Sequence, residues 1–273
     1  MSTTDLLALV PDVVAIARRA SQEILRIYNR GFDVRDKADA SPITEADEAS
    51  EALILAGLKS LTPDIPAFGE ETVSRGEANA DSLPPRFWLV DPLDGTREFV
   101  SRNGEFAICI GLVEARRPAF GVLHAPVLDT TWSAAGVGTA CVWRGAARPI
   151  AIQARRPPAS GMIAVQSRSH GDRSAVEALC AENGVSEIRI QGSAIKLGAL
   201  AEGHADFYPR FGPTMEWDSA AGDAILRAAG GGIVTQSGED LLYGKADQAY
   251  RNPHFTALGD LHLAEFFKLS PLS

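Results

Sequence analysis

The chain has 273 residues, of which 45% are hydrophobic and 22% charged, an ordinary balance for a soluble globular protein with a full core. Its formal net charge of −9 excludes binding to nucleic acid polymers, because a polyphosphate backbone would be repelled, although metals and a few cations can still capture one mononucleotide. Three scattered cysteines exclude a disulfide framework or zinc site and indicate a reducing compartment.

The N-terminal part of the chain predicts two amphipathic helices followed by strands. Apolar residues recur at helical spacing over 4–29 and 44–60. Short apolar runs bounded by turn residues then predict strands, with a hairpin connection at 114–118, and these strands cover 65–68, 87–91, 106–113, 119–123 and 139–144. The polar stretch 77–85 predicts a surface loop.

The chain changes character after an Arg-Arg-Pro-Pro junction at 155–158. Beyond it, strands alternate with helices: strands at 162–166 and 187–191, helices at 172–183 and 193–202. We therefore predict an α/β (α+β) protein made of two halves. Residues 1–155 form an N-terminal α+β half with most of the candidate metal ligands, and residues 156–273 form a C-terminal α/β half.

No targeting or membrane segment is predicted. Residues 1–5 lack a basic leader region, and the longest apolar runs, such as 107–113, are far below the ~20 residues of a membrane helix. We predict a cytoplasmic protein, with a peripheral place on the inner membrane as the alternative. The sequence does not distinguish a monomer from a homodimer.

The stretch 88–99, WLVDPLDGTREF, is the most informative in the chain. It places Asp91 and Asp94 three residues apart around Pro92, after an apolar strand-like run, and then turns at Gly95. Because proline cannot pair in the strand ladder and glycine favours a turn, both acidic side chains should point to one place. Two adjacent carboxylates repel each other and need a cation. The alternative is an acidic turn that caps the next helix.

Other carboxylates in the chain can complete such a site. Glu70 and Glu71 follow a short apolar segment, Asp218 opens a helix of small residues, and Asp47 lies at the start of another helix. A cluster with oxygen ligands alone suits Mg²⁺ and disfavours zinc. Carboxylates converging from separate segments can hold more than one ion, the arrangement that clamps a phosphoryl displacement.

Each of these carboxylates also has a purely structural interpretation. Thr44 and Asp47 fit a capping box, which is favoured over a ligand when taken alone. Glu70 and Glu71 can be a solvated loop pair, and Asp218 can answer the helix dipole. These three interpretations are independent of one another, whereas a single metal site explains all the residues together.

Candidate phosphate ligands lie in the C-terminal half. Ser193 precedes a helical run that contains Lys196, so a helix N-terminus, a hydroxyl and an ammonium form an anion site. Arg210 ends a strand-like segment and can present a planar fork to a phosphate. The structural alternatives are an N-cap for Ser193, an exposed helix lysine for Lys196, which spacing alone favours, and a surface-loop histidine for His170.

Two long signatures, WLVDPLDGT and WDSAAG, with GEE upstream of both, carry a resemblance to a known family. The chain resembles the lithium-sensitive, Mg²⁺-dependent phosphatases that include inositol monophosphatase and fructose-1,6-bisphosphatase, and within them the bacterial 3'(2'),5'-bisphosphate nucleotidases. The resemblance reaches from the N-terminal region to about residue 260. The stretches that point to the nucleotidase branch are DKADASPITEAD (36–47), DPLDGTREFVSRNGEFAICIGLV (91–113), GVLHAPVLDTTWSAA (121–135), QSRSHGD (166–172) and GSAIKLGALAEGHADFYPRFGPTMEWDSAAGDA (192–224).

The resemblance implies a layered αβαβα sandwich and two or three Mg²⁺ ions. It implies that the metal ligands are Glu70, Asp91, the Leu93 carbonyl, Asp94, Asp218 and Asp47. It also implies that Glu70 and Thr96 orient the attacking water and that Asp94 takes part in catalysis. The substrate ligands that it implies are Gly95, Thr96, His170, Ser193, Lys196, Arg210 and Asp218. Leu93 and Arg97 stand where relatives often carry Ile and Lys, and neither change removes a ligand side chain.

The activity implied by the resemblance is hydrolysis of the 3'-phosphate of adenosine 3',5'-bisphosphate to AMP and phosphate. The sulfated analogue would also be accepted, and the reaction would serve sulfur assimilation. A near alternative is a phosphatase of the same fold acting on inositol, sugar or histidinol phosphates. A distant alternative is a non-catalytic regulator associated with RNA or RNA polymerase.

Overall fold

The computed structural model describes residues 2–37, 42–77, 83–158 and 161–265, in which two large β-sheets alternate with helices. The helices are α1 (Thr3–Arg30), α2 (Glu45–Leu61), α3 (Glu70–Ser74), α4 (Thr96–Val100), α5 (Arg173–Glu182), α6 (Ile195–Ala201) and α7 (Glu216–Ala228). Two 3-10 turns lie at Ala246–Gln248 and Leu261–Glu265.

The strands fall into three groups along the chain. A small hairpin pairs β1 (Val34–Asp36) with β2 (Pro42–Thr44). The first large sheet contains β3 (Ala67–Gly69), β4 (Arg86–Asp94), β5 (Ala107–Glu114), β6 (Arg117–Ala125), β7 (Thr130–Ala134), β8 (Cys141–Arg144) and β9 (Ile150–Ala151) in that spatial order. The second contains β10 (Met162–Ser167), β11 (Val185–Gln191), β12 (Phe207–Arg210), β13 (Gly232–Thr235) and β14 (Phe255–Leu258), in the order β11-β10-β12-β14-β13.

The first sheet is buried on both faces. Side chains alternate across β4, so Trp88 and Val90 pack with α1 and α2 on one face, while Phe87 and Leu89 pack on the other. The Trp88 indole also donates a hydrogen bond of 3.0 Å to the Thr62 hydroxyl at the end of α2. A sheet covered on both faces reads as nearly continuous apolar sequence, as β4 and β5 do.

The second sheet completes the layering. Its inner face, with Val165 and Tyr208, shares one core with α6, α7 and the first sheet, whereas its outer face, with Ala164 and Phe207, packs against Val176 of α5. The layers are therefore helices α1 and α2, a sheet, helices α6 and α7, a sheet, and α5. This arrangement confirms the predicted α/β class and the αβαβα sandwich.

The predicted elements agree with the structure to within a few residues. Helices predicted at 4–29 and 44–60 are α1 and α2. The strand predicted at 139–144 begins only at Cys141, and the strand predicted at 65–68 is shifted to Ala67–Gly69. Within the predicted loop 77–85, residues 78–82 lie outside the described ranges. Cys109, Cys141 and Cys180 are free, as expected.

Strand β7 and the second-sheet strands β13 and β14 were not predicted. The β7 sequence, TTWSA, has one large apolar residue and three hydroxyl side chains, so it lacks the apolar pattern of a buried strand, yet all five residues are buried.

The strands of the two large sheets separate in sequence between Ala151 and Met162. The two halves are not separate bodies, since α7, which follows residue 155, packs on β5 and β6 of the first sheet. The division into halves at 155 therefore stays a prediction.

The close approach of α7 to the first sheet depends on two glycines that pair across β5 and β6, Gly111 and Gly121. A Cβ on Gly121 would lie 2.2 Å from the backbone oxygen of Ala221, and one on Gly111 would lie 2.8 Å from the Ala221 nitrogen. We expect Gly121→Ala to lower the free energy of unfolding by about 1–3 kcal/mol, because overpacking forces backbone to move. Thermal melts check this expectation.

A matched control for that prediction is Gly238→Ala, at an exposed turn where a Cβ meets no atom within 4 Å. Gly238 has φ +81°, so its substitution costs only the left-handed backbone strain. A Gly121→Ala protein that melts no lower than the control would contradict the close-packing account.

Candidate active site

A cavity of about 360 Å³ opens between the two sheets, where β4, α4, α6, β12 and α7 meet. Residues from both halves of the chain line it. The predicted site residues among them are Glu70, Asp91, Leu93, Asp94, Gly95, Thr96, His170, Ser193, Lys196, Arg210 and Asp218. Asp47 does not line the cavity, but its carboxylate accepts a hydrogen bond from the Thr96 hydroxyl.

The end of β4 bends as its sequence predicts. Asp91 pairs with Cys109 and Asp94 with Ala107, so three steps along β4 oppose two along β5 and leave one extra residue around Pro92. Gly95 then adopts φ +92°, a left-handed conformation that suits glycine. The bulge and the glycine turn bring both aspartates to the cavity.

Three carboxylates converge at this point: Asp91, Asp94 and Asp218. One oxygen from each lies within 4.8 Å of the others. Asp218 is at the third position of α7, where its Oδ2 accepts a hydrogen bond of 2.9 Å from the Met215 backbone. Asp94 in the strand bulge and Asp218 at the helix start are 124 residues apart in the sequence. The fold therefore brings these two distant segments together in one acidic centre.

The environment of this centre disfavours the ionised form of its three carboxyl groups. Removal from water and repulsion by Glu70, Asp94 and Asp218 raise the pKa of Asp91 well above its usual range. Burial and the same kind of repulsion raise the pKa of Asp218 to about 8 and that of Asp94 to about 6. Three carboxyl groups that ionise with difficulty when no positive charge is near offer the oxygen ligands that a hard divalent cation prefers.

Thr96, Leu93 and Asp47 are connected beside the acidic centre. The Thr96 hydroxyl lies 3.2 Å from Oδ1 of Asp47 and 3.3 Å from the Leu93 carbonyl oxygen. The other oxygen of Asp47 accepts hydrogen bonds from the Thr44 backbone and hydroxyl, at 2.8 and 2.7 Å, so the capping box is formed. Asp47 thus already has a structural role, and its assignment as a ligand of a further metal stays a prediction.

Glu70 faces the acidic centre but is held by Lys37, which the sequence did not indicate. The Lys37 ammonium lies 2.6 Å from Oε1 of Glu70 and 2.7 Å from Oε1 of Glu71. The pair predicted as a possible solvated loop is thus an ion-paired cluster, and Glu71 is almost fully buried. Burial and Glu70 raise the pKa of Glu71 to about 7.

Lys196 is not the exposed helix lysine that its spacing alone suggests. It is 3% exposed; its ammonium donates to the backbone oxygen of Ser193 and lies 4.9 Å from the centre of the Tyr208 ring. Burial lowers the pKa of Lys196 to about 8, while the charge of Asp94 acts in the opposite direction. The tertiary fold therefore places this ammonium close to the acidic centre.

Ser193 is not the N-cap of α6, because that helix begins at Ile195 with Ala194 as its cap. Ser193 instead has φ +49°, and the following Ala194 N–H donates to Oδ2 of Asp94. A left-handed serine is uncommon. The turn before α6 thus binds a carboxylate of the acidic centre that lies at the end of β4.

Arg210 and His170 stand on the side of the cavity formed by the second sheet. Arg210 is buried at the end of β12, and its Nη2 donates a hydrogen bond of 2.6 Å to the Pro213 carbonyl. His170 is exposed to solvent and also lines the cavity. Removal of its ring from water, with the charges of Arg210 and Arg97, lowers the pKa of His170 to about 4.

A second polar cluster, which was not predicted, fixes the His170 loop. Glu98, buried in α4, accepts a hydrogen bond of 2.7 Å from the Ser169 hydroxyl. Glu105 pairs with Arg168 at 2.6 Å and accepts the Gly192 N–H at 2.7 Å. These residues lie in the stretches REFVSRNGEF and QSRSH, and only their alternation of acid and base could have signalled such a cluster.

The raised carboxyl pKa values predict how stability of the metal-free protein depends on pH. Between about pH 6.5 and 8, the folded protein keeps protons on Asp218 and Glu71 that the unfolded chain has lost, because their pKa values are raised to about 8 and about 7. Stability therefore falls as the pH rises through this window. Below it, the lowered pKa values of His124 and His170 act in the opposite sense.

We expect the melting temperature in excess chelator to be higher at pH 6.5 than at pH 8. Addition of Mg²⁺ should raise it more at pH 8 than at pH 6.5, because a larger fraction of the carboxyl groups is ionised at the higher pH. Asp218→Asn should reduce the pH dependence. A metal-free melting temperature that is flat or rising over the window would contradict the electrostatic account of the site.

An αβαβα sandwich with an oxygen-lined acidic centre beside buried cations defines a class of proteins built to bind divalent cations and a phosphorylated small molecule. The chain belongs to the inositol monophosphatase family, whose family model matches residues 8–265.

Similar proteins extend over nearly the whole chain. The 3'(2'),5'-bisphosphate nucleotidase CysQ of Escherichia coli O6:H1 is 41% identical over 252 residues, which is 90% of this chain and 98% of that protein. CysQ of Haemophilus influenzae is 30% identical over 254 residues, covering 92% of this chain and 93% of that protein. These relatives confirm the resemblance predicted from the motifs.

Solved structures agree with this placement. The crystal structure of CysQ from Bacteroides thetaiotaomicron, a bacterial member of the inositol monophosphatase family, matches with a TM-score of 0.75 and 33% identity, covering 94% of this chain and 98% of that chain. An inositol monophosphatase from Thermotoga maritima matches with a TM-score of 0.74 at 23% identity, which supports the fold alone.

Proposed function

We propose that the protein is a Mg²⁺-dependent 3'(2'),5'-bisphosphate nucleotidase that hydrolyses the 3'-phosphate of adenosine 3',5'-bisphosphate to AMP and phosphate. The observation that carries this proposal is a single cavity with an acidic centre of Asp91, Asp94 and Asp218 beside the cations Lys196 and Arg210. Such a cavity suits a substrate with a phosphate at the metals and further negative charge beyond them. The CysQ relatives, which carry this activity in their name, support the same substrate.

The donor set fits Mg²⁺ by its chemistry, since the centre contains carboxylate oxygens and the Leu93 carbonyl is nearby. We propose Glu70, Asp91, Leu93, Asp94 and Asp218 as the ligands of two ions, with Asp47 reaching a third. When bound, these ions would act as Lewis acids and lower the pKa of water at the site.

The residues of the chain itself would orient the water and the phosphate. Glu70 faces the cavity with a carboxylate that can accept a proton from water, and the Thr96 hydroxyl is fixed by Asp47 and the Leu93 carbonyl. The Lys37 ammonium lies 2.6 Å from Oε1 of Glu70, and the second oxygen of this carboxylate can act on the water. In this scheme water attacks the phosphorus directly, without a serine or cysteine nucleophile.

The substrate side would use groups that the fold has already positioned. Arg210 presents a guanidinium at the cavity wall, Lys196 places its ammonium near Asp94, and Ser193, Gly95 and His170 line the space between them. A neutral His170, favoured by its lowered pKa, can donate one hydrogen bond and accept another. We also propose that the enzyme acts in sulfur assimilation and accepts the sulfated nucleotide.

Among the residues whose structure is described, no helix is long and apolar enough to cross a membrane. We propose a cytoplasmic enzyme whose partner is its small-molecule substrate.

A substrate panel with released phosphate as the readout tests the function. We expect adenosine 3',5'-bisphosphate to be hydrolysed with the highest kcat/KM, above inositol 1-phosphate, fructose 1,6-bisphosphate and histidinol phosphate. Glu70→Gln serves as the control for contaminating phosphatase activity. A clear preference for an inositol, sugar or histidinol phosphate would transfer the assignment to another activity of the family. No turnover of any member, with Mg²⁺ present, would favour a non-catalytic role.

A further inference from the structure

One wall of the cavity contains a cation that the sequence motifs do not include, Arg251. Its side chain is exposed and lines the cavity together with Arg210 and Thr214. Among the residues that the structure describes, none forms an ion pair or hydrogen bond with the Arg251 guanidinium. We infer that Arg251, with Thr214, forms part of the subsite for the phosphate that is not cleaved, an inference that rests on the proposed nucleotidase function.

Two buried polar atoms on this wall lack a hydrogen-bond partner. Neither Nε of Arg210 nor the hydroxyl of Thr214 has a hydrogen-bond partner in the described structure, although Arg210 is 6% and Thr214 8% exposed. A buried donor without a partner costs free energy, so such groups are uncommon in folded proteins. Their place beside the cavity indicates that a bound ligand, or water in its absence, completes them.

The backbone around Arg251 is fixed relative to the acidic centre. The Asn252 N–H donates to the Thr214 oxygen at 2.9 Å, and the buried Asn252 amide donates to the Met215 oxygen at 2.8 Å and the Ser219 hydroxyl at 2.9 Å. Met215 and Arg251 also form a β-bridge. Because these bonds attach the segment to the start of α7, Arg251 is positioned by the same helix that carries Asp218.

The turn that leads to Arg251 is strained. Ala249 and Tyr250 both have left-handed backbones, with φ of 52° and 59°. Non-glycine residues in this region cost free energy that the surrounding structure must offset. The strained turn brings residue 251 to the cavity, as is common where a side chain has a binding role.

The chemistry of this wall matches a phosphate better than the other parts of a nucleotide. The two guanidinium groups are positively charged and can only donate hydrogen bonds, whereas the Thr214 hydroxyl can donate or accept one. Guanidinium groups pair with phosphate oxygens through parallel, charge-assisted hydrogen bonds. The cleaved phosphate must lie at the acidic centre, so the second phosphate is the group left for Arg251. Stacking of Arg251 on the base is the competing interpretation.

The test compares wild type, Arg251→Ala and Arg251→Gln on adenosine 3',5'-bisphosphate and adenosine 3'-monophosphate. Loss of one exposed charge-assisted contact should raise KM for the bisphosphate about tenfold with little change in kcat. KM for the monophosphate should be unchanged. Arg148→Ala, at an exposed arginine between β8 and β9, is the matched control and should behave as wild type on both substrates.

The outcomes separate this inference from the proposed function. If wild type hydrolyses the bisphosphate but both Arg251 variants match it, the inference alone is wrong. Equal losses on the two substrates would assign Arg251 to the nucleoside and also overturn it. If wild type does not hydrolyse the bisphosphate, the proposed function fails and the inference fails with it.

Discussion

Asp91→Asn is expected to lower kcat by on the order of 10³-fold or more in saturating Mg²⁺. Asp91 is 2% exposed, converges with Asp94 and Asp218, and accepts a hydrogen bond of 2.9 Å from the Leu93 backbone. Asparagine keeps the shape but removes the charge that a divalent cation requires, and loss of one preorganised electrostatic contact has an effect of this size. Phosphate release from adenosine 3',5'-bisphosphate measures it.

The same variant should be more stable than wild type when both are free of metal. Burial and its acidic neighbours oppose ionisation of Asp91, so a neutral amide removes a repulsive charge from the site. We expect the melting temperature in chelator to rise by a few degrees, and the stabilisation by Mg²⁺ to shrink. Lower stability without metal would mean that Asp91 has a structural role, and turnover by wild type in excess chelator would exclude metal dependence.

Arg210→Ala is expected to lower kcat/KM for adenosine 3',5'-bisphosphate by about ten- to a hundredfold. A hydrogen bond to a charged group contributes about 1.5–3 kcal/mol, which corresponds to that range. The loss should be much smaller for adenosine 3'-monophosphate, which lacks the second phosphate. Comparison of the two substrates with the same variant measures the contact and cancels effects on the fold.

Lys196→Met provides the contrast. The ammonium of Lys196 is buried near Asp94 and bonded to the Ser193 carbonyl, so its removal should affect the catalytic end and lower activity on both substrates. Glu70→Gln should also lower both, because Glu70 acts on the water. If Arg210→Ala hurts the two substrates equally, Arg210 serves the fold or the chemistry and its assignment to the second phosphate is wrong.

Local sequence was sufficient for the elements whose pattern is strong. The helical periodicity of α1 and α2 and the apolar runs of β4 and β5 predicted these elements within a few residues. Strand β7 escaped prediction because its hydroxyl side chains are buried between layers, and burial by distant elements leaves no periodic pattern in a short segment.

The sequence by itself determined the turn that aims Asp91 and Asp94 at one place, because proline and glycine act on the backbone locally. It also determined the capping box of Thr44 and Asp47, whose partners are three residues apart.

Only the tertiary structure decided the surroundings of these groups. Lys37 reaches Glu70 from the β1–β2 hairpin, Lys196 is buried against Tyr208, and Arg251 is brought to the cavity by Asn252. These contacts join residues far apart in the chain, and their charges and burial depend on how the layers pack. Because a pKa follows from desolvation and nearby charges, which are set by packing and not by sequence neighbours, the electrostatics of the site emerged only with the fold.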